Sequence, residues 1–145
     1  MAWKLYSDAT LDTEITSQLV IHQTDLSDNP QDFTFWYGNR EDDPGDNQIL
    51  QQQEANAPGT NQITVSIVDA NPGAGHEASE ITLALTAAGL DTGTPGASLD
   101  LGTTLLSGAS EAVPIHVRVE NAVTNVGLDT ELSLQIVATI DEEVI

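Results

Sequence analysis

The sequence predicts an all-β domain, a sandwich or barrel of about eight short antiparallel strands. Apolar and polar residues alternate along four segments, at residues 63–68, 81–86, 113–120 and 132–140. Alternation with a period of two is typical of strands that bury one face. Turn signals separate these segments, and no stretch has a helical period beyond one turn at residues 86–90. Together these observations favour an antiparallel β-sandwich.

The alternation also predicts which side chains face the core. The inward set comprises Val65, Ile67, Leu83, Leu85, Ile115, Val117, Leu134 and Ile136. The last segment is interpreted as one strand, with Ala138 and Ile140 continuing its apolar face and residues 141–145 extending into solvent. Weaker strands are predicted at residues 14–23, 32–37, 48–53 and 98–101.

Proline–glycine pairs predict the tight turns between strands. Such pairs stand at Pro44-Gly45, Pro58-Gly59, Pro72-Gly73 and Pro95-Gly96. Proline fixes one backbone φ and glycine supplies a positive one, which is what a tight turn needs. Asp69 and Asn71 precede the third pair, and we expect them to cap that turn.

The chain length of 145 residues predicts one domain, which we assign to residues 13–145. Residues 1–12 have two interpretations, because they carry three large apolar side chains ahead of the next predicted strand. They form either the first strand of the sandwich or an arm that docks on another subunit. In the second case Trp3, Leu5 and Tyr6 are the partner-binding residues, since an extended segment can join the edge of a neighbouring sheet.

The charge balance is far from that of an ordinary soluble protein. Twenty-three acidic residues face three basic ones, Lys4, Arg40 and Arg118, for a formal net charge of −20. Spread over a surface of about 7,000 Å², this is one net charge per roughly 350 Å². Such a charge weakens the folded state at low salt, and a Debye length of about 3 Å at 1 M salt relieves the repulsion. The pattern is typical of halophilic proteins.

The same composition excludes several classes of partner and location. Three basic residues are too few to displace counterions from nucleic acid or to hold an anionic membrane surface. Cysteine is absent, and no apolar run reaches the ~18 residues of a membrane span. The N-terminal residues do not resemble a signal peptide. We therefore expect a protein that either is cytoplasmic or leaves the cell as part of something larger.

No pattern in the chain predicts an enzyme. His22, His76 and His116 do not share metal-ligand spacing on one element. The serines lack the Gly-x-Ser-x-Gly elbow that exposes a nucleophile. With 23 carboxylates, some acidic pair is inevitable and indicates nothing about catalysis.

One acidic turn has the chemistry of a hard-cation site. Asp42, Asp43, Asp46 and Asn47 crowd the turn at Pro44-Gly45, and oxygen ligands on a tight loop suit Ca²⁺ or Mg²⁺. The spacing differs from that of the helix-loop-helix calcium motif. A hydrated acidic hairpin turn is the alternative, and no other cofactor is expected.

Two stretches resemble small virion proteins of tailed viruses: Asn61 to Asp69, and the strand that opens after Ser107-Gly108 and runs through Val119. The resemblance implies an immunoglobulin-like or jelly-roll sandwich. With the acidic composition, the chain is similar to structural proteins of viruses that infect halophilic archaea. It implies a non-catalytic capsid decoration or turret component, a homo-oligomer in the virion that binds the major capsid protein. The resemblance carries over no functional residue.

Two further functions stay open from the sequence. One is a tail-associated structural protein. The other is a carbohydrate-binding or adhesin-type sandwich, which would present aromatic side chains on a concave face. Trp3, Trp36 and Tyr37 are the candidates for that role.

Overall fold

The computed structural model describes residues 3–15, 30–40, 42–43, 48–122 and 132–144. These residues form three antiparallel sheets and no α-helix, which confirms the predicted all-β, sandwich-like class. The strands, several of them shorter than predicted, are β1 Lys4–Tyr6, β2 Gln31–Gly38, β3 Asp42–Asp43, β4 Gln48–Glu54, β5 Thr64–Asp69, β6 Ile81–Ala84, β7 Leu99–Asp100, β8 Thr104–Leu106, β9 Val113–Val119, β10 Leu132–Ile136 and β11 Thr139–Val144.

The first sheet has the strand order β1-β2-β9-β6. Its central pair is antiparallel, with Phe35 opposite Ile115 and Phe33 opposite Val117. The alternate residues Ile115, Val117 and Val119 are buried, as the period-two pattern predicts. This sheet supplies most of the buried apolar side chains.

The second and third sheets close the core from the other sides. The second has the order β10-β5-β7, and it places Leu134 opposite Ile67. In the third, β4 pairs with β11 along one edge and with β3 and β8 along the other. All three sheets contribute to one core, whose buried members are Phe35, Tyr37, Ile63, Val65, Leu83, Leu101, Leu105, Ile115, Val117 and Val119.

The segment predicted as one strand at residues 132–140 is two strands in two different sheets. The break falls at Val137 and Ala138, whose backbones bond to Thr64 and Ala55 at 3.0 Å each. Since the chain changes neighbours there, the alternation restarts, and Ile140 is 39% exposed rather than inward. Residues 141–144, expected to extend into solvent, pair with β4.

The prediction for Leu85 is wrong, because β6 ends one residue earlier and Leu85 is 42% exposed. Both faces of β6 are covered instead. Leu83 faces the core, while Thr82 and Ala84 on the other face are buried as well. The 3₁₀ turn Ala88–Asp91, which occupies the one place where a helical turn was predicted, packs over that second face.

The proline–glycine turns within the described residues form as predicted. Gly59, Gly73 and Gly96 all have φ between +76° and +88°. Each turn closes with a backbone hydrogen bond of 3.1–3.2 Å from the residue after the glycine to the residue before the proline. Asp69 accepts the backbone N–H of Asn71 at 2.9 Å, so the predicted cap is present.

Candidate binding site

A cleft of about 370 Å³ lies between the first sheet and the third. Trp3, just before β1, and Tyr37, near the end of β2, contribute the aromatic side. Gln52 on β4 and Thr139 and Asp141 on β11 contribute the polar side, and the link between β10 and β11 adds aliphatic groups. The cleft therefore combines an aromatic pair, an amide, a hydroxyl and a carboxylate.

The floor of the cleft is an oriented chain of hydrogen bonds. The Tyr37 hydroxyl donates to Gln52 Oε1 at 2.9 Å, and Gln52 Nε2 donates to Thr139 Oγ1 at 3.1 Å. Tyr37 and Gln52 are 4% and 2% exposed. Burial raises the pKa of Tyr37 to about 12, so the phenol stays protonated at neutral pH and keeps its role as a donor. This arrangement fixes side chains rather than moving protons.

Trp3 forms the wall above this floor. Its ring centroid lies 5.9 Å from that of Tyr37, with the rings tilted by 33°, a spacing typical of stabilising aromatic pairs. Trp3 Nε1 is buried and has no hydrogen-bond partner in the described part of the chain. A buried donor without an acceptor costs about 1–3 kcal/mol, so this indole N–H is a group that a ligand can satisfy.

Asp141 is the charged group of the cleft. It lies opposite Gln52 in the β4–β11 register. Desolvation raises the pKa of the Asp141 carboxyl, while the nearby Trp3 indole N–H and the positive charge at the amino terminus lower it by less. The indole and the carboxylate thus interact without forming a hydrogen bond of ordinary geometry. Asp141 remains an acceptor with capacity for another donor.

No basic side chain of this protein compensates Asp141. Lys4 pairs with Glu14 at 2.9 Å and Arg40 with Asp12 at 2.9 Å. Arg118 binds both oxygens of Asp32, at 2.8 and 3.0 Å, and also Asp91 at 2.8 Å. These are the three basic residues of the sequence, and each has a carboxylate partner elsewhere.

The three predicted partner-binding residues belong to or precede β1, which pairs with β2 of the same chain. The structure therefore places residues 4–6 in a strand that pairs within its own chain, and their contact with another subunit stays a prediction. Tyr6 is 8% exposed and offers little surface to a partner. Leu5 is half-buried against the core. Trp3 alone of the three reaches the cleft.

The segment after β1 explains why these residues stay with their own chain. The Asp8 carboxylate accepts the backbone N–H groups of Asp12 and Thr13 at 2.8 and 2.7 Å. These bonds lower the pKa of Asp8 to about 2. They close a turn that returns Ile15 to β1, where its N–H donates to the Leu5 carbonyl at 2.9 Å.

The predicted cation site lies only partly within the described residues. Asp42 and Asp43 form β3 and pair with Ile49 and Gln48 of β4. Asp46 and Asn47 lie outside the described residues. Among the described ranges, no group of three or more His, Asp or Glu side chains is arranged to hold a metal. The Ca²⁺ or Mg²⁺ site at this turn stays a prediction.

The buried pair His76 and Glu80 has the chemistry of an acid–base couple but serves the fold. His76 Nδ1 lies 3.0 Å from Glu80 Oε1, and both residues are under 10% exposed. The same carboxylate accepts backbone N–H groups of Glu77 and Ala122. It therefore ties the segment of residues 76–80 to the chain that follows β9.

The outer face of the third sheet exposes two isoleucines among polar side chains. Gln52 and Glu54 of β4 are buried, so Ile49, Gln51 and Gln53 face outward. Ile140 on β11 stands opposite Gln53. Ile49 and Ile140 are 42% and 39% exposed, and within the described ranges only Leu85 is a comparably exposed large apolar residue. Glu142, opposite Gln51, points to the same side as Ile140. We call this surface, defined by Ile49, Gln51, Gln53, Ile140 and Glu142, the outer face.

Comparisons with known proteins add no name to these features: no family model, no curated protein and no solved structure matches the chain. Among the described residues, no helix is long and apolar enough to span a membrane.

Sequence reasoning found part of the cleft and missed the rest. Trp3 and Tyr37 were singled out as aromatic candidates, whereas Gln52, Thr139 and Asp141 were not. Asp141 was assigned to a solvent-exposed tail. The signal that points to these residues is the polar run Gln51-Gln52-Gln53, because a strand without apolar alternation that still joins the core must bury a polar side chain.

Proposed function

We propose that this chain is a non-catalytic structural protein of a virion, a capsid decoration or turret component that binds the shell of a tailed virus of halophilic archaea. The observation that carries the proposal is the outer face. Two of the most exposed large apolar side chains of the described residues, Ile49 and Ile140, lie on this one sheet face. The face also carries Glu142, opposite Gln51 and between the two isoleucines. On a protein with a net charge of −20, two exposed isoleucines on one sheet face are still candidates for contact with protein.

Charge supports a protein partner over a polyanion. Every basic side chain is engaged in an ion pair with a carboxylate of the same chain, which leaves no cationic surface for phosphates. We take the major capsid protein as the partner. Many copies on one shell, in a homo-oligomer of closed symmetry, make weak single contacts durable.

The non-catalytic part of the proposal is supported by two buried titratable groups, which are held in hydrogen bonds within the fold. The Glu80 carboxylate beside His76 is held by backbone donors. The Tyr37 phenol is kept protonated and bound to Gln52. General acid–base catalysis needs a group free to exchange a proton with substrate near the working pH.

Quantitative mass spectrometry of purified virus particles tests the proposal. The chain is expected in many copies, in a fixed ratio to the major capsid protein. If the copy number of the chain instead follows that of the tail proteins, the chain is the tail-associated structural protein that the sequence also allows. Absence of the chain from intact particles would contradict any virion role.

A further inference from the structure

The cleft contains one donor and one acceptor that interact but are not joined by a hydrogen bond of ordinary geometry. Tyr37, Gln52 and Thr139 bond to one another and form a rigid floor. The buried indole N–H of Trp3 interacts with the Asp141 carboxylate but makes no hydrogen bond of ordinary geometry among the described residues. The carboxylate of Asp141 has no lysine or arginine partner in the chain. Both side chains line the same cleft.

The chemistry of these two groups selects the class of ligand. A hydroxyl group accepts from the indole N–H and donates to the carboxylate at once. A cation would satisfy the carboxylate and leave the indole N–H unpaired. The aliphatic link between β10 and β11 and the Trp3 ring add apolar walls for C–H groups. The volume, about 370 Å³, falls at the lower end of the range for small-ligand sites.

We propose that this cleft binds a neutral saccharide unit, with its hydroxyl groups bridging Trp3 Nε1 and the Asp141 carboxylate. The site is independent of the outer face, because successive residues of β11 point to opposite sides of the sheet. Asp141 faces the cleft, while Ile140 and Glu142 face the other way. A virion protein with both surfaces would attach to its shell through one and hold a glycan through the other.

The indole N–H signals in an NMR spectrum test the proposal directly. The sequence contains two tryptophans, Trp3 and Trp36, so two such signals exist and Trp3→Phe assigns them. The folded protein is titrated with methyl glucoside, methyl galactoside, methyl mannoside and N-acetylglucosamine, and separately with N-acetyl-arginine amide. At least one sugar is expected to shift the Trp3 signal and leave the Trp36 signal in place, because Trp36 alternates with Tyr37 along β2 and faces away from the cleft.

Two variants and a matched control complete the test. Trp3→Phe keeps the ring and removes the donor, and Asp141→Asn keeps the shape and removes the charge. Each should weaken sugar binding, followed by amide shifts, by about 5- to 10-fold, the worth of one hydrogen bond. Glu142→Gln removes the same charge one residue away, outside the cleft, and should bind sugar as the parent does.

Three outcomes overturn the proposal. The first is no shift of the Trp3 signal with any of the four sugars. The second is a shift with the arginine amide alone, which makes the cleft a cation site. The third is equal weakening by Asp141→Asn and Glu142→Gln, which reduces the effect to net charge. None of these bears on whether the chain is found in virus particles, so the two proposals fail separately.

Discussion

At the scale of single residues, Gly93 leaves less room for a side chain than the other glycines in the described part of the chain. A Cβ at position 93 would lie 2.7 Å from Thr82 Cγ2 and 3.2 Å from the Gly89 carbonyl oxygen. Real Cβ atoms do not approach other atoms to 2.7 Å. Glycine at 93 is therefore what lets the chain beyond the 3₁₀ turn Ala88–Asp91 close over Thr82 on β6.

We expect Gly93→Ala to lower the free energy of unfolding by about 1–3 kcal/mol, since the clash forces side-chain and backbone shifts. Thr82→Ser removes the methyl group in question and should rescue part of this loss in the double variant, with a coupling of about 0.5–1 kcal/mol. Urea denaturation of the parent, both single variants and the double variant measures the loss of stability and the coupling. Additive effects, or a Gly93→Ala variant as stable as the parent, would mean that this contact does not hold the turn in place.

Residues whose structure depends on near neighbours were predictable from the sequence. Asp69 capping Asn71 and the three proline–glycine turns follow from backbone preferences within four residues. Thr82 and Leu85 were not predictable, because their burial depends on a segment that folds back over β6. Period-two alternation states which residues share a face, not which face another segment covers.

At the scale of elements, the difference between local and long-range contacts also explains why the last strands of the chain were mispredicted. The alternation from Leu132 to Ile140 is unbroken in the sequence, yet the chain leaves β5 and joins β4 after Ile136. The choice of a new partner strand is a tertiary event that the local pattern does not encode. It exposes Ile140 and brings Asp141 into the cleft, so the missed elements are those that build both candidate surfaces.

Element β1 shows the opposite case, in which two alternatives had the same sequence signal. An arm and a first strand both require apolar side chains on an extended segment. The turn at Asp8 and the pairing of Lys4–Tyr6 with β2 decide between them within the chain. Trp3 keeps a surface role because it precedes the paired residues and lines the cleft.

At the scale of the whole molecule, the net charge of −20 should make folding depend on salt. The three basic side chains already have partners, so the chain holds no further cation to offset the repulsion among carboxylates. We expect the melting temperature to be higher in 2 M KCl than in 0.1 M KCl by at least several degrees, since added ions screen this repulsion.

Thermal melts followed by far-ultraviolet circular dichroism measure the effect. Salt at 0.15 M already screens exposed charges beyond about 8 Å, so a halophilic surface predicts that most of the gain comes above this concentration. A melting temperature constant within about 2 °C across the series would refute the adaptation to salt, because 1 kcal/mol moves the midpoint of a domain this size by at least that much.

The central claim is that the outer face attaches the chain to a viral shell, and one binding measurement tests it most directly. Particles purified from a virus lacking this chain are mixed in high salt with labelled parent protein, with Ile49→Gln, with Ile140→Gln, or with Leu85→Gln. The last variant is the matched control, because Leu85 is as exposed as Ile49 but lies off the outer face. The parent and Leu85→Gln are expected to bind equally, and each outer-face variant should lose about 2 kcal/mol, or ~30-fold in affinity, as interface anchors typically do. Outer-face variants that bind as tightly as the parent, or a parent that does not bind the particles, would contradict the claim.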